Sequence, residues 1–156
     1  MTPYSNLRQL FARRNLIIAI FYILNASLFL FILLGSFIVK IALQNPSALL
    51  PNFSGEDLTL MQTVTSPLGF FTFGTGFVVT SLIVILAFIN RSRALKKLDE
   101  KISYLVYYLG IFWAIASIIL EILLLGRLSP SSPFYLLIFG FLHLFTLRKA
   151  QFLKEK

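Results

Sequence analysis

The sequence predicts an all-α integral membrane protein: a four-helix bundle made of two antiparallel hairpins, with both termini on the inner side. Three observations carry this. Of 156 residues, 58% are hydrophobic and only 13% charged, against roughly 45–50% and about 25% in soluble domains. Four apolar runs stand apart along the chain, and the mean hydropathy is +0.86. The basic residues alternate between the segments that join those runs. Arg8, Arg13 and Arg14 precede the first; Arg91, Arg93, Lys96, Lys97 and Lys101 lie between the second and third; Arg148, Lys149, Lys154 and Lys156 follow the fourth. The other two connections hold only Lys40 and Arg127. Basic residues held on one side orient a multi-span protein.

Span 1 covers about 16–39 without a charge. It exceeds the roughly 20 residues a helix needs to cross the hydrocarbon core, and the 7–15 residues or so of a signal-peptide core. It therefore reads as a retained span. Asn25 lies near its middle, where a buried amide is expected to bond another helix. The outer loop, 44–67, contains Pro46, Pro51, Glu56 and Asp57 and no basic residue. As the longest connection, it is the expected place for an exposed recognition surface. Ser54-Gly55-Glu56-Asp57 looks like a turn opening a short helix. Asn52-Phe53-Ser54 fits a glycosylation sequon and is read as a chance match, because no secretory address accompanies it.

Span 2 covers about 68–89. Its Gly69, Thr72, Gly76 and Thr80 recur at helical spacing and form a small, polar stripe. The inner linker, 90–102, is basic, and Arg91, Arg93, Lys96, Lys97 and Lys101 are expected along the lipid headgroups. Span 3 covers about 104–125. Ser103, Tyr107, Gly110, Ala114, Ser117 and Glu121 share one face. Small residues let helices approach closely in lipid, and hydroxyls bond across the gap. The two stripes are therefore expected to supply much of the bundle core. Span 4, about 133–147, would reach only some 22 Å as a helix, short of the ~30 Å core. The basic cluster behind it argues for a crossing, helped by snorkelling of Arg148 and Lys149. One domain over 1–156 follows.

The chemistry these residues permit is narrow. No cysteine is present, which removes disulfides, thiolate metal sites and Cys nucleophiles. No phosphate loop, dinucleotide glycine pattern, zinc-protease motif or nucleophile elbow occurs. With six acids and one histidine, general acid–base options are few, and no enzyme is expected. No metal or cofactor is called for; a bound lipid or pigment is compatible with the chain, but the sequence does not indicate one. The net charge of +8 flanks apolar spans and forms no soluble basic face, so nucleic acid is not an expected partner. The lipid bilayer and other membrane subunits are. Glu121, the one acid inside a span, is expected to pair with Lys40 or Arg127 near the outer surface, the alternatives being solvation at the interface and a proton or cation site. His143, the sole histidine, lacks companions for a metal site and is expected to hydrogen-bond a neighbouring helix.

Part of the chain resembles a known family. Phe11-Ala12-Arg13-Arg14 before span 1, Ser66-Pro67-Leu68-Gly69-Phe70 at the start of span 2, and Ala87-Phe88-Ile89-Asn90-Arg91-Ser92-Arg93-Ala94-Leu95 at its exit are similar to a four-span family of cyanobacteria and plastids. That family includes a chloroplast inner-envelope protein described as a permease or translocon component. The C-terminal part departs from it, since the polar Gln/Asn motif before the last span is absent, and no site residue is carried over. The resemblance implies a bacterial inner membrane or an organellar one, thylakoid or envelope. Three roles are compatible with the residues. The leading one is an accessory, assembly or scaffold subunit of a membrane complex. The second is a small permease or ion-pathway protein using Asn25, Glu121 and the glycines of span 2. The third is a membrane sensor reading through the basic linker.

Overall fold

The computed structural model describes residues 3–44 and 54–155, most of them helical. The residues Pro46, Pro51, Asn52 and Phe53 lie outside the described ones. Among the described residues five α-helices follow one another: α1 Pro3–Ala42, α2 Gly55–Val64, α3 Pro67–Leu95, α4 Leu105–Leu125 and α5 Ser132–Lys154. A short 3₁₀ turn, Asp99–Lys101, precedes α4. Four of the helices are long and apolar enough to cross a membrane.

The helices outrun the apolar spans. α1 begins more than three turns before Leu16, because no residue between Pro3 and Leu16 breaks a helix and its buried stripe runs on through Phe11, Ala12, Asn15, Ile18, Ala19 and Tyr22. Hydropathy marks only the apolar part of such a helix; the periodic stripe marks all of it. α5 is likewise 23 residues long, about 34 Å at 1.5 Å per residue. It continues past Leu147 because Ala150 and Leu153 keep its buried face in phase. The shortfall expected of span 4 disappears for this reason.

Local signals explain the helix ends. Ser54 caps α2: its hydroxyl accepts from the Asp57 N–H (3.2 Å), while the Asp57 carboxylate accepts from the Ser54 N–H (3.0 Å) and hydroxyl (2.6 Å). This reciprocal box satisfies helix donors that would otherwise face water. Ser66 caps α3 through the Gly69 N–H (3.1 Å), with Pro67 in the first turn. At the far end of α3, Lys97 takes a left-handed φ of 59°. There the Leu98 N–H reaches Arg93 O (2.8 Å) and the Lys97 N–H reaches Ala94 O (3.2 Å), a Schellman closure with lysine in the place usually held by glycine. α4 ends at Gly126, φ 66°, where glycine adopts that conformation without a Cβ penalty.

The exposed Asp57 gives α2 a pH dependence. The Ser54 hydroxyl and backbone N–H hold the Asp57 carboxyl below its usual range. A depressed folded pKa means stabilisation present above the unfolded value of ~3.9 and lost as pH falls through the folded value. The Cα chemical shifts of Leu58 and Leu60 should therefore move towards coil in acid. The same titration of Ser54→Ala should lose that step; an unchanged step would show that the box does not hold the helix.

The contacts between the helices are unequal. α1 packs most extensively on α3, and α4 on α5, with a smaller α3–α4 contact. The α3 stripe is buried from end to end, through Gly69, Thr72, Gly76, Thr80, Ile83, Ala87, Asn90 and Ala94. Its chief counterpart is nevertheless α1. A Cβ on Gly76 would come 2.8 Å from the Phe29 ring of α1. The α4 stripe instead turns Gly110 towards α5, where a Cβ would collide with the His143 ring. Gly76 and Gly110 are each a notch for a particular aromatic ring on another helix.

Candidate functional site

Polar side chains gather in two places. The first is a buried network joining α1, α3, α4 and the segment before α4. Asn15, Asn90, Tyr107 and His143 are fully buried in it. The Tyr107 hydroxyl donates to Asn15 Oδ1 (2.9 Å) and accepts from Asn90 Nδ2 (3.2 Å). Asn90 Nδ2 also donates to Ser103 O (2.7 Å), and Asn90 Oδ1 accepts from the Ser103 N–H (2.8 Å). One amide thus receives and gives as a backbone strand would, fixing where the chain re-enters the bundle. Asn15 Nδ2 donates to Phe11 O (3.0 Å). Ser103 itself lies just before α4, so the helical face drawn from sequence begins at Tyr107. The Ser103 hydroxyl accepts from the Leu105 N–H (3.2 Å) and helps start the helix.

His143 of α5 stands beside this network. Its Nε2 lies 3.1 Å from the Tyr22 hydroxyl of α1. Its ring lies 6.3 Å from Tyr107 and 5.5 Å from Tyr22, centre to centre. The missing side chain of Gly110 makes room for it. At the same end of the bundle, Arg8 forms a forked ion pair with Asp99, its Nε 2.8 Å from Oδ2 and 3.1 Å from Oδ1. This is the sole ion pair among the described residues. Lys154 lies 4.5 Å over the Tyr104 ring. Of the five linker cations, Arg93 donates to the Lys101 carbonyl, Arg91 is half-buried, and Lys96, Lys97 and Lys101 are exposed.

The second gathering is a cavity of about 490 Å³ at the opposite end. Its walls are largely apolar, and α2 contributes Leu60 and Val64 to them. Asn25, Thr72, Trp113, Ser117 and Glu121 also line it. Asn25 Nδ2 donates to Phe21 O of its own helix (3.0 Å); the expected bond to another helix is not made, because the residue faces the cavity. The Ser117 hydroxyl likewise donates to Ala114 O (3.1 Å). Ala114 is fully buried.

Glu121 departs from expectation. Neither Lys40 nor Arg127 forms an ion pair with it. Its carboxylate accepts from the Ser129 N–H (2.9 Å) and from the Ser132 hydroxyl, clasping the turn that leads into α5. The serines are the better-placed donors, because the turn after Gly126 folds back on the helix that carries Glu121. Lys40 sits 5.2 Å over the Phe70 ring, and Arg127 is exposed beside Glu56 and Thr59 of α2.

Neither Asn15 nor Asn90 is singled out as a buried polar position in the sequence analysis. A signal was available. Asn90 falls at helical spacing after Ile83 and Ala87, and Asn15 falls between Phe11 and Ile18/Ala19; an amide in phase with an apolar stripe is a buried amide. Tyr22 has the same signature. The Arg8–Asp99 pair, separated by 91 positions, carries none. No protein-family model, no curated protein and no solved structure matches this chain.

Proposed function

We propose that this chain is an integral membrane protein whose long helices form two antiparallel hairpins, α1 with α3 and α4 with α5, both termini lying inside. In that membrane it serves as an accessory, assembly or scaffold subunit of a larger complex and carries no catalytic chemistry. One observation supports this above the others. The buried polar groups tie the chain's own helices together, with Asn90, Tyr107 and Asn15 bonding one another, while the exterior is apolar and aromatic, as at Phe31 (75% exposed) and Ile38 (69%). Such a surface suits lipid and partner helices. Arg91, Lys96, Lys97 and Lys101 would meet anionic headgroups on the inner side.

A small permease is the second reading. The cavity that joins Asn25, Thr72, Ser117 and Glu121 favours it, and the resemblance to the inner-envelope family would accord with it. A transporter needs a polar site near the midplane reached alternately from both sides. The packed Asn15–Tyr107–Asn90 layer stands against such a path through the monomer.

The absence of cysteine permits a clean test. Single replacements Glu56→Cys and Lys97→Cys are made and exposed to a membrane-impermeant maleimide in sealed cells. Labelling at 56, and at 97 only after permeabilisation, is the expected result; the reverse pattern sinks the topology. After mild detergent extraction the chain should migrate with a large complex at fixed stoichiometry. Migration as a free small protein would remove the subunit role.

A further inference from the structure

We propose that the cavity under α2 is a binding site for a neutral, apolar molecule bearing a carbonyl acceptor. Its volume, about 490 Å³, falls within the roughly 300–1,000 Å³ of small-molecule sites, which are mostly apolar with a few placed polar groups. Two of the polar groups on its wall are buried donors without an acceptor. Thr72 Oγ1 and Trp113 Nε1 belong to cavity-lining residues that are 8% and 3% exposed, and neither atom has a partner. Asn25 Nδ2 keeps one N–H beyond its bond to Phe21 O. Indole N–H can only donate, so whatever satisfies Trp113 must accept.

Charge narrows the class further. No lysine or arginine lines the cavity, and Glu121 is its one ionisable acid. An anionic ligand would find no counter-charge and would meet a carboxylate. A cation would have to compete with the Ser129 and Ser132 donors already on that carboxylate. Unpaired buried donors are costly, and neither Thr72 Oγ1 nor Trp113 Nε1 reaches accessible surface as the wall stands. An acceptor seated against this wall relieves them as the wall adjusts, the Thr72 hydroxyl turning to another staggered position and the Trp113 indole shifting to present its N–H. The acceptor can be the carbonyl of a quinone-type molecule or the ester carbonyl of a lipid tail region; the donors address the same chemistry in either. The inference rests on the membrane reading, not on the subunit role.

Trp113 is the only tryptophan, so its emission reports on this cavity alone. The full chain in detergent micelles is titrated with decylubiquinone, and separately exchanged into acyl-brominated phosphatidylcholine; co-flotation with vesicles is scored independently, so that failure of membrane insertion is distinguishable from failure of binding. Saturable quenching by one of the two probes, at one site per chain, is expected. Thr72→Val and Asn25→Leu should each weaken it about five-fold, the effect of one lost net hydrogen bond. Ser117→Leu, which fills the cavity and leaves those donors in place, should weaken it at least ten-fold. Saturation by the quinone identifies a quinone-type ligand, and saturation by the brominated lipid identifies an ester lipid; either supports the site. Quenching that rises linearly with probe mole fraction, or that is equal in wild type, Thr72→Val and Ser117→Leu, overturns it.

Discussion

Asn90→Leu is expected to destabilise the bundle by about 3 kcal/mol, more than any other conservative change in α3. The substitution keeps the volume and the apolar stripe but removes three hydrogen bonds. Ser103 N–H and Ser103 O lose their 2.8 and 2.7 Å partner, and Tyr107 loses one of two. A polar group left buried without a partner costs roughly 1–3 kcal/mol, whereas a hydrogen bond between membrane helices contributes on average only about 0.6. The orphaned groups therefore dominate, not the lost bonds. Reversible unfolding of the full chain by SDS titration from mild micelles measures the effect. Tyr107→Phe should cost less, because its loss leaves the Asn90–Ser103 bonds intact. The double variant should fall short of the sum, since residues in one network couple by about 0.5–3 kcal/mol. Strict additivity would show that the three residues do not act as a network.

Gly110→Ala should cost about 2 kcal/mol although alanine is the better helix former. A helical Gly→Ala change ordinarily stabilises by about 0.8–1.0 kcal/mol. At Gly110 the new Cβ would overlap the His143 ring. Overpacking costs typically 1–3 kcal/mol, and displacing the ring from Tyr22 (3.1 Å) adds about 1 more. The clash outweighs the propensity. Gly35→Ala and Gly74→Ala supply the contrast, because nothing lies within 4 Å of a Cβ at either. Those two should be neutral or slightly stabilising in the same assay. Removing the obstacle with His143→Ala should make the Gly110→Ala change favourable again. If all three glycines respond alike, the notch at 110 is not occupied as described.

Much of the fold is legible in the amino acids. The apolar runs, the capping serines at 54 and 66, and the stripe from Gly69 to Thr80 are local features, and local features survive into any packing. Helix ends were less legible, because hydropathy fades where Arg13 or Arg148 begins while the helix does not. The site was half legible. Asn25, Thr72, Ser117 and Glu121 are conspicuous as polar residues in apolar runs, yet nothing in their spacing says that one cavity collects them. Glu121 shows the limit: an acid in an apolar run advertises a need for partners, and two serines eleven or fewer positions away met it before any distant cation could.

Composition and periodicity by themselves determined that the chain is helical, that four segments are long and apolar enough to cross a membrane, and that one face of spans 2 and 3 is small and polar. Each of these depends on a residue and its neighbours within a few turns. Only the tertiary structure decided which stripe meets which. It set Phe29 into the notch at Gly76, His143 into the notch at Gly110, and Asn90 onto the backbone of Ser103. Several faces of these helices are equally apolar, so hydrophobicity ranks none of the pairings above the others. Shape and the need of buried polar groups for partners choose among them, and both are properties of two helices at once.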